Sequence, residues 1–268
     1  MLKVVLTMKG RSAYLLIIIL FGIAVTSCSS RETVMRGSIT NDRSNDTEQI
    51  YEEKYHKDGI EAIYPKFKVE NEDNNILEWN RILEEDIQKI LQIYTFNPFP
   101  ELTPQPAENI PTILYVDYDI KLNNDQFFSV LYKASFRSPY SAHPTELVYT
   151  TNIDKKNNKR IRLSDISQLN TNFVKNFRSW NFRSFEEGNE ELNRAIIDFI
   201  DSMSDLDLMM GFQEADQIGS DNLWGIYSYL TAERLGISIG VPHYIGDHVE
   251  FENDYSNLMN YLNTNYEW

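Results

Sequence analysis

Apolar positions recur at two different periods along this chain, changing from one to the other in blocks. Ile76, Trp79, Ile82, Leu83, Ile87, Ile90, Leu91 and Tyr94 fall at three- and four-residue steps, with Glu78, Arg81, Glu84, Glu85 and Lys89 between them. That is the pattern of a half-buried helix, and Asn74 or Asn75 stands where its cap belongs. Before it, Ile60, Ala62 and Tyr64 share one face of an edge strand closed by Pro65. After it, Pro98, Pro100, Pro104, Pro106 and Pro111 crowd residues 97–111, which excludes helix and central strand. TILYVDYDIKL (residues 112–122) and FFSVLYKASFR (residues 127–137) then alternate and are joined by Asn123-Asn124-Asp125, a hairpin signal. ELVYTTNID (residues 146–154) adds a third strand, turned by Lys155 to Lys159. One long helix with three consecutive strands predicts an antiparallel sheet covered on one face.

The second half reverses the order. Short helical patterns open at Ser164 and at Asn172 to Phe177. A clearer one runs from Glu190 to Met203, with Leu192, Ala195, Ile196, Phe199, Ile200 and Met203 on one face. Strand patterns follow at 224–231, 235–241 and 248–252, and Ser256 caps a closing helix over Asn257 to Leu262. The expectation is therefore an α+β fold of two small domains, each an antiparallel sheet packed with helices. The boundary is placed near residue 167, giving domains at 51–167 and 168–268.

Charge changes the picture of what such a chain meets. Lys and Arg number 25 against 40 Asp and Glu, a formal net charge of −15. Lys3, Lys9 and Arg11 lie in a leader expected to be removed, leaving 22 against 40, or −18. Such a surface repels nucleic acid and attracts cations; solubility alone is the plainer reading. The leader is the run AYLLIIILFGIAV (residues 13–25) behind those three basic residues. It is short for a bilayer span of about 20 residues and suits a signal-peptide core. The sole cysteine, Cys28, excludes an internal disulfide.

Val25-Thr26-Ser27-Cys28 resembles the lipobox of bacterial lipoproteins. By that resemblance residues 1–27 are removed, Cys28 carries lipid, and the protein is extracytoplasmic and membrane-anchored. Residues 28–50, rich in Ser, Thr, Asn and Asp, read as a flexible tether.

Further along, Tyr64-Pro65-Lys66-Phe67, WNRILEEDIQKI and YSAHPTELVYTTNIDKKNNKRIRLSDI resemble the extracytoplasmic domain that precedes the catalytic part of PdaC-type peptidoglycan deacetylases. YLTAERLGISIGVPHYIGDHVEFENDYSNLMNYL is similar to the C-terminal domain of RsiV-type, lysozyme-sensing anti-sigma factors. The turn keeps the family's Ala142 and His143 ahead of Pro144, with other residues where relatives carry two glycines. The deacetylase catalytic pattern is missing, and a dozen residues before Ala13 are expected to be too few for an anti-sigma domain. The resemblance thus implies the wall-facing or sensing part alone.

Candidate chemistry is sparse. His243 and His248, with Asp247 and Glu250 near them and His143 from the first half, invite a zinc site. A five-residue spacing across a tight turn suits one poorly, so no metal and no cofactor are expected. The adjacent glutamates Glu84-Glu85, Glu186-Glu187 and Glu190-Glu191 read as solvated helix faces, not a glycosidase pair. No nucleophile stands beside a base. From Glu186 to Asp221 eleven acids face one base, Arg194. Within that run Asp201, Asp205, Asp207, Met209, Met210 and Phe212 mix carboxylates with apolar anchors. An ordinary solvated helix is the plainer reading; docking of a basic partner is the functional one. The expectation is a non-catalytic, lipid-anchored protein that binds a cationic protein such as lysozyme, or peptidoglycan, and no nucleic acid. A glycan-modifying enzyme and a purely structural envelope lipoprotein stay open.

Overall fold

The computed structural model describes residues 48–57, 59–69, 73–95, 113–137, 142–183, 189–219, 222 and 224–268. Cys28, most of the expected tether and the proline-rich stretch lie outside them. The fold is α+β.

Six strands form the larger sheet in the order β1 (Ile50–Lys57), β2 (Ile60–Phe67), β3 (Ile113–Asn123), β4 (Phe127–Arg137), β5 (Thr145–Asp154) and β6 (Lys159–Ile161). Every pairing is antiparallel except β2 with β3. That one parallel pair departs from the expected antiparallel sheet, and the helix is the reason. α1 (Asn74–Thr95) crosses between the two strands, and a crossover returns the chain in the direction it left. Pro65 likewise does not close an edge strand. β2 runs through it to Phe67 and pairs with β1 along its whole length, while β3 meets only Ile60 to Ala62. Beyond Ala62 no described strand continues on that side of β2, where Phe67 instead exchanges 2.8 Å hydrogen bonds with the Asn80 side chain, so a residue without an N–H fits there. β1 itself has a mostly exposed, charged sequence and sits where the tether was expected to end. Gln49 accepts a 2.7 Å bond from the Lys68 N–H, and Glu48 pairs with Lys155.

β4 is buried without interruption from Phe127 to Tyr132. Phe128, Val130, Tyr132 and Ala134 face α1, packing on Trp79, Ile82, Leu83, Ile87, Ile90 and Leu91. The alternate residues face the second sheet: Leu131 lies with Val148 against Tyr229. The larger sheet is thus covered on both faces along β4 from Phe127 to Tyr132. Asp73 caps α1, its carboxylate accepting from the Asn75 N–H at 2.8 Å; neither Asn74 nor Asn75 does so. Asp73 stands just before the first helical residue, the position from which a side-chain oxygen reaches the second helical N–H.

The second sheet has the order β7 (Asn181–Arg183), β10 (His248–Asp254), β9 (Arg234–Gly240), β8 (Tyr227–Leu230). α2 (Leu163–Ile166), α3 (Thr171–Phe177), α4 (Glu190–Ser202), α5 (Asp205–Gln213) and α6 (Tyr255–Leu258) accompany it. α2 is a single turn whose Asp165 carboxylate accepts from the Arg162 N–H at 2.9 Å, so Ser164 is not its cap. α6 starts before Ser256. The core around this sheet takes Phe127, Ile161, Leu163 and Ile166 from before residue 167 and everything else from after it. Ser167 forms an antiparallel bridge with Leu262.

Candidate functional site

α4 and α5 carry the acidic stretch, and each residue type there goes where its chemistry sends it. Asn189 caps α4 by accepting from the Leu192 N–H at 3.1 Å. Ser204 caps α5 by accepting from the Asp207 N–H at 3.1 Å, and Asp207 receives the Ser204 hydroxyl at 2.7 Å. Two Glu in the first turn of α4 and two Asp in that of α5 complement the positive helix ends.

Between the two helices stands Arg178, the residue after α3. Its guanidinium donates to Ile200 O at 3.0 Å and Met203 O at 2.7 Å, satisfying carbonyls at the end of α4. The same group pairs with Asp205 at 2.9 Å and with Asp201 at 3.6 Å. Asp201 and Asp205 are therefore partly neutralised. Glu190, Glu191, Asp198 and Asp207 are exposed, α4 holds one basic residue, Arg194, and α5 holds none.

The expected apolar anchors divide. Phe212 is fully buried, its ring 5.5 Å from Phe173 and 5.0 Å from Phe177, so it cannot meet a partner. Met203 and Leu208 are buried as well, and Met209 packs partly into the same core. Leu206 and Met210 do face solvent, 58% and 47% exposed, one helical turn apart, with Glu214 a further turn on. The sequence placed anchors and core residues in one list because a nine-residue helix with five apolar side chains shows no clear polar side.

Asp216, counted among the solvated acids, is instead buried. Its carboxylate accepts from Ser228 Oγ at 2.7 Å, the Leu163 N–H at 2.7 Å, Thr150 Oγ1 at 3.2 Å and the Ser228 N–H at 2.5 Å. Burial outweighs those donors and pushes the carboxyl up to about 6. Its left-handed backbone, φ 65°, turns the chain from α5 toward β8, and Asp tolerates that conformation.

The family turn lies elsewhere. Ala142, His143 and Pro144 are exposed, and the His143 ring stacks on His243 with centroids 6.2 Å apart. His243 Nδ1 stands 2.9 Å from Asp247 Oδ1, and Asp247 Oδ2 accepts from the Glu146 N–H at 2.9 Å. His248, beside them, is held below the usual imidazole range by burial. Asp247 and His248 line a cleft of about 340 Å³ together with Tyr149 and Tyr227, whose rings meet edge to face at 5.2 Å. Among the described residues its lining contains no serine, threonine or cysteine. The structure thus brings together the histidines that the sequence paired across its two halves. Among the described residues no three His, Cys, Asp or Glu side chains are grouped to hold a metal ion. Among the same residues no helix is long and apolar enough to cross a membrane.

No protein-family model and no curated protein matches this chain. Solved structures resemble it, among them a DUF3298 family protein from Pseudomonas aeruginosa and a member of the DUF3298 family from Bacteroides fragilis. The first is 13% identical with a TM-score of 0.48, covering 82% of this chain and 96% of its own. The second is 12% identical with a TM-score of 0.44, covering 82% and 93%.

Proposed function

We propose that this chain is a non-catalytic lipoprotein of a bacterial envelope, anchored through Cys28, that docks a cationic protein on the outer face of α4 and α5. The observation that carries this reading is the exposed pair Leu206 and Met210 on α5. The acids flanking that pair along α5 include Asp207 and Glu214, and the preceding helix exposes Glu190, Glu191, Asp198 and Asp201. Apolar side chains that lose water on contact hold a complex, and surrounding charge of one sign speeds encounter with the opposite sign. Lysozyme is the first partner to test, because the second half resembles the lysozyme-sensing domain; peptidoglycan is the second. The test compares binding of lysozyme to the mature chain and to two variants, Leu206→Gln/Met210→Gln and Asp198→Asn/Asp201→Asn. The first pair is expected to raise the dissociation rate and the second to lower the association rate. Equal binding by all three chains contradicts the reading.

A further inference from the structure

One edge of the larger sheet is open. β1 pairs with β2 along its whole length, and among the described residues no strand pairs with its other side. The ladder fixes which backbone groups face outward. The Lys68 N–H donates to Gln49 O, so Gln49 and every second residue after it, Tyr51, Glu53, Tyr55 and Lys57, bond to β2 in the alternation of an antiparallel pair. The intervening Ile50, Glu52, Lys54 and His56 turn their N–H and C=O groups out of the sheet. β2 agrees with that phase. Phe67, opposite Ile50, exchanges both of its backbone bonds with the Asn80 side chain, and Pro65, opposite Glu52, has no N–H to place. A row of outward donors and acceptors is a template for a further strand.

The side chains on this edge complement themselves in one register. Glu52, Lys54 and His56 are exposed on one face of the strand, and Tyr51 is 46% exposed on the other. Lay a second copy antiparallel with Glu53 on the two-fold axis. Glu52 of each copy then stands opposite Lys54 of the other, Tyr51 opposite Tyr55, and Ile50 opposite His56. Opposite charges and aromatic pairs are favourable across strands, and every outward group of Ile50, Glu52, Lys54 and His56 finds a partner. Glu53 meets its own copy, where Lys66, 3.8 Å from it in each chain, offsets the repulsion. Sliding by two residues either way sets Glu52 against Glu52 or Lys54 against Lys54 and leaves part of the edge unpaired. Charges on an edge keep mismatched strands away; this order of charges admits its own copy.

We propose that two copies of this chain associate through β1, antiparallel about a two-fold axis at Glu53, joining their six-stranded sheets edge to edge. The proposal does not rest on the α4–α5 docking face.

The test follows the mature chain carrying Cys28→Ser by sedimentation equilibrium up to about 0.5 mM, because a single strand pair is smaller than a standard interface and holds weakly. A monomer–dimer equilibrium is expected. Lys54→Glu, at an exposed position, should raise the dissociation constant at least about tenfold with unchanged circular dichroism. Glu52→Lys/Lys54→Glu restores the opposition of charges and should return it to within about threefold of the parent. Single cysteines read the register. Glu53→Cys should form disulfide-linked dimers under mild oxidation, since residues facing each other in a non-hydrogen-bonded pair lie about 4.5 Å apart at Cα. Glu52→Cys and Lys54→Cys, each opposite a different residue, should stay largely unlinked. Leu206→Gln/Met210→Gln should leave association unchanged, so a failed docking face and a failed edge are told apart. A monomer throughout that range, equal dissociation constants for the parent and Lys54→Glu, or cross-linking at 52 or 54 as strong as at 53 overturns the proposal.

Discussion

Ser228 gives both its hydroxyl, at 2.7 Å, and its backbone N–H to the carboxylate of Asp216. The consequence lies at the free edge of β8. That strand pairs with β9 alone, so its other backbone groups need partners. Asp216 takes the Ser228 N–H, Asn152 Nδ2 donates to Ser228 O at 2.8 Å, and Ser129 Oγ accepts the Leu230 N–H at 3.0 Å. Side chains of the larger sheet and of the turn before β8 thus complete an edge that lies inside the protein. Replacing Asp216 by Ala strands four donors in a dry site, and a loss of about 3 kcal/mol or more is expected by chemical denaturation. A loss below about 1 kcal/mol contradicts the assigned role.

The same carboxyl sets a pH dependence. Its folded value of about 6 lies above the ordinary aspartate value, so the protonated form is the one the fold favours. The stabilisation is complete below about pH 4 and is lost as pH rises through about 6, a change of roughly 2 to 3 kcal/mol. The stability gap between the parent and Asp216→Asn should therefore narrow by that amount from about pH 4 to about pH 7. A gap that stays constant or widens would falsify it.

Gly236 of β9 faces Tyr229 of the neighbouring strand β8, its partner in the register of the second sheet. A Cβ there would sit 2.1 Å from the Tyr229 ring, and that ring is pinned by hydroxyl bonds of 2.8 Å to Glu250 and to Glu252. Gly236→Ala should cost about 2 kcal/mol or more by overpacking, read as a drop in melting temperature. An unchanged melting temperature means that Tyr229 is not held where described.

Much of the scaffold is legible from periodicity. α1 and strands β3, β4, β5, β9 and β10 follow runs long enough to show a clear period. The elements that escaped are those whose pattern is carried by another segment. β1 reads as polar because its mostly exposed residues cover an edge, and three-residue β7 is too short to show alternation. The parallel pair of β2 and β3 follows from the path of α1, not from either strand. At the acidic face the sequence located the stretch but not the split between Leu206 and Met210 outside and Leu208 and Phe212 inside, because α5 is apolar nearly all round. Asp216 was invisible as a buried ligand of backbone, since nothing local separates it from its solvated neighbours.

Anchoring is tested by metabolic labelling with a palmitate analogue. The parent chain should incorporate label and sediment with membranes, whereas Cys28→Ser should be unlabelled and released, since stable attachment needs more than one acyl chain at that residue. Full membrane retention of an unlabelled Cys28→Ser chain would show that some other segment holds it.

The account as a whole is a claim about docking without chemistry. It is tested most directly by calorimetric titration of the mature protein with lysozyme at low and high salt, with peptidoglycan digestion followed in parallel. Saturable binding that weakens as salt rises, with no release of wall fragments, is the predicted result. Salt-insensitive or absent binding, or steady release of fragments by the pure protein, contradicts it.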